Sequence, residues 1–102
     1  MISSNVQKLI PKIQKYFAEQ PIARAWLFGS YSRGEETPES DIDILVEYKE
    51  GERISLFTIS RIMKSLQKIL NKRVDLVEED GVLPFAAQSI DQDRILIYER
   101  KN

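Results

Sequence analysis

Leu27-Phe28-Gly29-Ser30-Tyr31-Ser32-Arg33-Gly34, followed after a polar spacer by Asp41-Ile42-Asp43-Ile44-Leu45-Val46, is the stretch that decides the fold. Its first half is the end of an apolar run, Ala23 to Phe28, that is interrupted only by Arg24. A run so short, closed by glycine, predicts a buried strand. Ser30 to Glu36 predicts a short helix with Ser30 near its N-cap, and Thr37 to Ser40, with Pro38 inside, a loop. Asp41 to Glu47 alternates: Ile42, Ile44 and Val46 share one strand face, while Asp41, Asp43, Leu45 and Glu47 share the other.

Outward from this centre the chain keeps the same rhythm. Upstream, Val6, Leu9, Ile10, Ile13 and Phe17 recur at helical spacing, with Ser3, Ser4 and Asn5 available as caps. Pro11 predicts a kink, or a break into two short helices. Downstream, a polar turn around Gly51 leads into an amphipathic helix over Ser55 to Leu70. Its stripe is Ile59, Ile62, Met63, Leu66, Ile69 and Leu70, and Asn71 suits a left-handed cap. Arg73 to Val77 predicts a strand with Val74 and Leu76 on one face and Arg73, Asp75 and Val77 on the other. Gly81 and Pro84 mark a loop, Phe85 to Gln92 a short helix, and Ile95 to Tyr98 a last strand. Helix and strand alternate four times. The expectation is an α+β domain over 1–102, a mixed sheet of about four strands with helices packed on it.

Composition narrows the chemistry. Of 102 residues, 42% are hydrophobic and 30% charged, as in a globular chain. Fifteen Lys and Arg against 16 Asp and Glu argue against a general polyanion binder, so direct nucleic-acid binding is not expected. There is no cysteine and no histidine, which excludes disulfides, Cys/His zinc sites and imidazole catalysis. Metal binding must rest on carboxylates, hard ligands suited to magnesium or manganese. No stretch approaches the ~20 apolar residues of a membrane span. Met1 to Asn5 lacks a signal-peptide layout, which points to the cytoplasm.

Gly29 lets a ligand approach the backbone, and the helix start after it presents free N–H groups to an anion. Ser30 adds a hydroxyl and Arg33, one turn on, a full charge. A serine-capped turn is the competing reading, and surface pairing with Glu36 competes for Arg33. No Walker A lysine follows, so this is not a P-loop. Asp41 and Asp43 share a face and can hold one divalent ion or bridge two. Taken alone they also read as a loop cap and a solvent-facing acid. Asp75 lies mid-strand, where aspartate is disfavoured. If its strand lies beside that of Asp43, the three acids converge. Two carboxylates ~4 Å apart repel by about 4 kcal/mol at an effective dielectric near 20, so such a cluster makes sense around a cation.

The combined run resembles the Gly-Ser, spacer, Asp-x-Asp signature of the polymerase-beta-like nucleotidyltransferase superfamily. Arg33-Gly34 and Pro38-Glu39-Ser40-Asp41 make it similar to the minimal nucleotidyltransferase branch. The resemblance implies transfer of AMP from ATP, with two magnesium ions and release of pyrophosphate. Gly29 and Ser30, with Arg33, would hold the triphosphate, and Asp41, Asp43 and Asp75 the metals. Asp75 matches the third carboxylate, beside the attacking hydroxyl, while Tyr31 either packs or stacks on a ligand. Small members of this branch are often antitoxins paired with a HEPN-class toxin, whose tyrosine the active ones modify. An adenylyltransferase acting on such a partner is therefore the leading expectation. Neutralisation by binding alone is the alternative, and a small-molecule nucleotidyltransferase assembled as a dimer is a third. Residues 81–93 match no acceptor motif, so the acceptor half is expected from a partner or a second copy.

Overall fold

A computed structural model describes residues 2–101; Met1, where the segment without a signal-peptide layout begins, and Asn102 lie outside the described residues. Helix α1 spans Ser4–Phe17 and is capped by Ser3, whose side chain accepts from the Val6 N–H. Pro11 lies inside it, so the predicted break into two helices does not occur. Proline in a helix interior costs ~3 kcal/mol. The buried Val6, Ile13 and Phe17 flank Pro11 on one stripe, and each such side chain gains roughly 1.5–3 kcal/mol on burial. One continuous helix serving one core therefore wins.

Strands β1 (Ile22–Phe28), β2 (Ile42–Tyr48), β3 (Val74–Glu78) and β4 (Ile95–Glu99) form one sheet in the order β3-β2-β1-β4. β1 pairs antiparallel with β2 and with β4, while β2 and β3 are parallel. The parallel pair is made possible by the crossover helix α3 (Leu56–Leu70). A register shift between Ile22 and Arg24 rephases β1, so Ile22, Ala25 and Leu27 all reach the core despite their unequal parity. These meet Ile42, Ile44 and Val46 of β2, Val6, Ile13 and Phe17 of α1, and Ile62, Leu66 and Leu70 of α3.

The predicted α3 stripe is narrower than expected: Ile69 is 41% exposed, and Ile59 and Met63 are half-buried. Asn71 closes α3 in the left-handed region at φ 53, as anticipated. The helix at Ser30 is shorter than predicted. Helix α2 covers only Ser30–Arg33, because Gly34 at φ 73 ends it and sends its N–H back to the Ser30 carbonyl. Gly29, not Ser30, takes the N-cap position. Asp41 and Arg73 fall one residue outside the strands assigned to them. The loop at Gly81 contains a single 3-10 turn, Glu79–Gly81, and α4 runs Pro84–Asp93. No helix among the described residues is long and apolar enough to cross a membrane.

Candidate functional site

The end of the sheet where β1 stops and β2 and β3 begin gathers the predicted acids. Asp43 is in register with Phe28 of β1 on one side and with Asp75 of β3 on the other. Parallel partners in register point to the same face, and neighbouring strands lie ~4.8 Å apart, so the two carboxylates are neighbours. The crossover through α3 makes this happen. The expectation that Asp75 joins the face of Asp43 is met.

Gly29 shapes the other wall. Its φ of 73 lies where side chains are rarely tolerated, and a Cβ there would stand 2.5 Å from Asp43 Oδ2. The aspartate therefore packs directly onto bare backbone, a close approach only glycine permits. The buried Ser32 fixes this turn: its hydroxyl donates to the Gly29 carbonyl at 2.7 Å, and its N–H to the same oxygen at 3.0 Å. Sequence reasoning missed Ser32. The signal was present, since a serine at the third helical position can bond back to the residue before the helix. The Ser30 hydroxyl, by contrast, has no hydrogen-bond partner among the described residues, while the Ser30 carbonyl accepts from the Gly34 and Glu35 N–H groups.

Asp41 sits at the rim. Its Oδ1 lies 3.1 Å from Arg73 Nε, a pairing that the sequence reading did not anticipate. Continuing the parallel ladder, Ile42 donates its N–H to the Arg73 carbonyl at 2.9 Å, which brings residues 41 and 73 together. With Asp41 turned to Arg73, no group of three or more His, Cys, Asp or Glu among the described residues is spaced to hold a metal ion. Asp43 and Asp75 form the assembled pair, and Asp41 stands beside it.

Arg33 is exposed and pairs with Glu35, at 2.7 Å from Nε, and with Asp93 of α4 through Nη1. The expected alternative partner, Glu36, instead accepts from the Ser3 hydroxyl at 2.8 Å. The reason is geometric: the chain turns at Gly34, which leaves Glu35 beside Arg33 and sends Glu36 toward α1. Tyr31 packs, as one of its two readings had it, being only 2% exposed within the core.

The electrostatics follow from this placement. Burial pushes the Asp43 carboxyl up to about 6, the charges of Asp75 and Asp41 push the same way, and Arg33 opposes them. Tyr31 is also raised, first by burial and then by Glu36 and Asp41.

The small mixed sheet sets an acid pair at its open end against a glycine turn that opens a helix, an arrangement compatible with carboxylate-based phosphoryl transfer. The chain belongs to the polymerase beta nucleotidyltransferase family, whose model matches residues 11–102. It is 35% identical over 92% of its length, and 96% of the relative's, to a Methanocaldococcus jannaschii protein named "putative protein adenylyltransferase MJ1379". A solved structure of a "putative minimal nucleotidyltransferase" is similar at 29% identity and TM-score 0.76, with 93% of this chain and 95% of the other covered. The fold also matches a chain in the complex of tri-AMPylated Shewanella oneidensis HEPN toxin with MNT antitoxin, at TM-score 0.69 and 23% identity, covering 93% and 73%.

Proposed function

We propose that this chain is a metal-dependent protein adenylyltransferase that moves AMP from ATP to a tyrosine hydroxyl of a partner HEPN-class toxin, and so acts as its antitoxin. The observation that carries the reading is the Asp43–Asp75 register pair against the Gly29 turn. The names of the relatives support the choice of AMP and of a protein acceptor.

The donor set fits magnesium: hard carboxylate oxygens side by side, one of them raised above its ordinary pKa by burial and by the neighbouring acids. Asp43 and Asp75 would hold it, joined by Asp41 once that side chain turns from Arg73. Bound magnesium would neutralise phosphate charge and polarise the phosphoryl oxygens. The chain's own residues do the rest. Gly29 exposes backbone to the triphosphate, and the unpaired Ser30 hydroxyl donates to it. The tyrosine oxygen attacks the α-phosphorus, the bond to the β-phosphate oxygen breaks, and pyrophosphate leaves. Asp75, exposed at the mouth, receives the tyrosine proton.

The test mixes the chain, ATP, magnesium and a candidate HEPN-class toxin partner, and reads the toxin's mass and its activity. An added AMP on a toxin tyrosine, absent with Asp43→Asn, is expected. Full neutralisation by Asp43→Asn with no mass change would replace catalysis by sequestration.

A further inference from the structure

The Arg33–Asp93 contact joins α2, at the glycine turn, to the last residue of α4, sixty positions along the chain. Both side chains are partly open, with 43% exposure for Arg33 and 20% for Asp93. Exposed ion pairs of this kind contribute little to stability, so stability does not explain the arrangement. Position does. The guanidinium uses Nε on Glu35 and Nη1 on Asp93. Two of its five N–H donors are thereby engaged, and the rest stay available. Arg33 is the last residue of the four-residue helix that opens at Gly29, and Gly29 packs its backbone against the Asp43 carboxylate, so the group stands one helical turn from the acid site.

Asp93 is itself anchored. The next residue, Arg94, donates its N–H to the Ile90 carbonyl at 2.9 Å, pairs with Glu79 and Asp91, and lays its guanidinium 5.1 Å from the centre of the Trp26 ring. Trp26 belongs to β1, two residues before Phe28, so the anchor and the site share one strand. A flexible arginine is thus clamped from two sides by carboxylates, Glu35 in the loop after α2 and Asp93 at the end of α4, the latter tied to the sheet. That is how a functional group is pre-ordered by its neighbours.

We propose that Asp93 is a positioning residue for nucleotide binding: it holds the Arg33 guanidinium where the phosphates of an incoming nucleoside triphosphate arrive. The inference rests on the proposed nucleotidyl transfer. Arg33 contacts the phosphate, and Asp93 acts only through Arg33. Without Asp93 the long side chain must be ordered by the nucleotide itself, an expense in side-chain freedom that weakens binding by roughly three- to tenfold.

The experiment measures the Kd of a non-hydrolysable ATP analogue, with magnesium and with chelator, and KM and kcat for AMP transfer. Asp93→Asn is expected to raise Kd and KM by roughly three- to tenfold while kcat stays within about twofold and the melting temperature moves by a few degrees at most. Asp93→Glu restores most of the affinity, and Asp93→Asn has no further effect in an Arg33→Gln background. If Asp93→Asn melts early, Arg33→Gln carries the test and must raise Kd by at least the same factor. Unchanged Kd and KM, or full additivity of the two substitutions, overturns the role of Asp93 alone. Wild-type protein with no affinity for the analogue overturns this inference together with the proposed function.

Discussion

Replacing Asp43 by asparagine removes a charge that the folded chain holds with difficulty, and the effect has a calculable sign. Folding raises this carboxyl from the ordinary 3.8 to about 6, chiefly by burial and then by Asp75 and Asp41. Between those two values the folded state binds more protons than the unfolded one, so the free energy of unfolding falls as pH rises through that window. Above about pH 6 the full penalty remains. A difference of that size corresponds to ~3 kcal/mol. Asp43 is only partly buried, and solvent screening brings the figure to about 1–2 kcal/mol. The side chain that replaces it has similar shape and no charge. In chelator at pH 7.5, Asp43→Asn is therefore expected to melt roughly 5–10 °C above wild type, since ~1 kcal/mol shifts a domain of this size by about 4–8 °C. At pH 4 the two curves converge. Titrating groups remote from Asp43 cancel in the difference between the two proteins. Thermal unfolding followed by circular dichroism at the two pH values reads this directly. A variant less stable than wild type at both, or a gap that does not close on acidification, would refute the claim that Asp43 is an uncompensated acid in a cluster.

Three further outcomes follow from the same geometry. Magnesium added at pH 7.5 should raise the melting temperature of wild type and not of Asp43→Asn, because the ion supplies the missing charge; equal shifts in both would place binding elsewhere. Gly29→Ala combines an unfavourable φ with a Cβ 2.5 Å from Asp43 Oδ2, so denaturant titration should show a loss of about 1–3 kcal/mol and nucleotide binding should fall with it. At the far end of α3, Asn71→Gly should be neutral or slightly stabilising while Asn71→Ala should lose about 1–2 kcal/mol, since φ there is 53; equal stability of the two variants would argue against the left-handed cap.

Much of the site was legible because its parts are local or periodic. Asp43 and Asp75 each interrupt an alternating apolar strand, and period two fixes the face of each. Their convergence needed one non-local fact, that β2 and β3 are parallel neighbours, and a long helix between two strands carries that signal. Gly29 was legible as a turn, but its contact with the Asp43 carboxylate was not, because the antiparallel register of β1 and β2 sets it. The partners of the charged rim were least legible. Arg73 reaches Asp41 only through the parallel ladder, and Asp93 reaches Arg33 only because α4 returns along the sheet. Local rules failed where a tertiary demand exceeded them: the core stripe of α1 carries Pro11 through a helix interior, and Gly34 cuts α2 short although Glu35 and Glu36 suit a helix.

Transfer itself is tested most directly with ATP labelled at either end. The chain, the proposed toxin partner and magnesium are incubated with ATP carrying label on the α-phosphate, and in parallel with ATP labelled on the γ-phosphate. The account predicts that α-label becomes bound to the toxin and γ-label is released as pyrophosphate, with both signals lost in Asp43→Asn and in chelator. Label retained from the γ-phosphate, or α-label transferred at an undiminished rate by Asp43→Asn, would contradict nucleotidyl transfer at the Asp43–Asp75 pair.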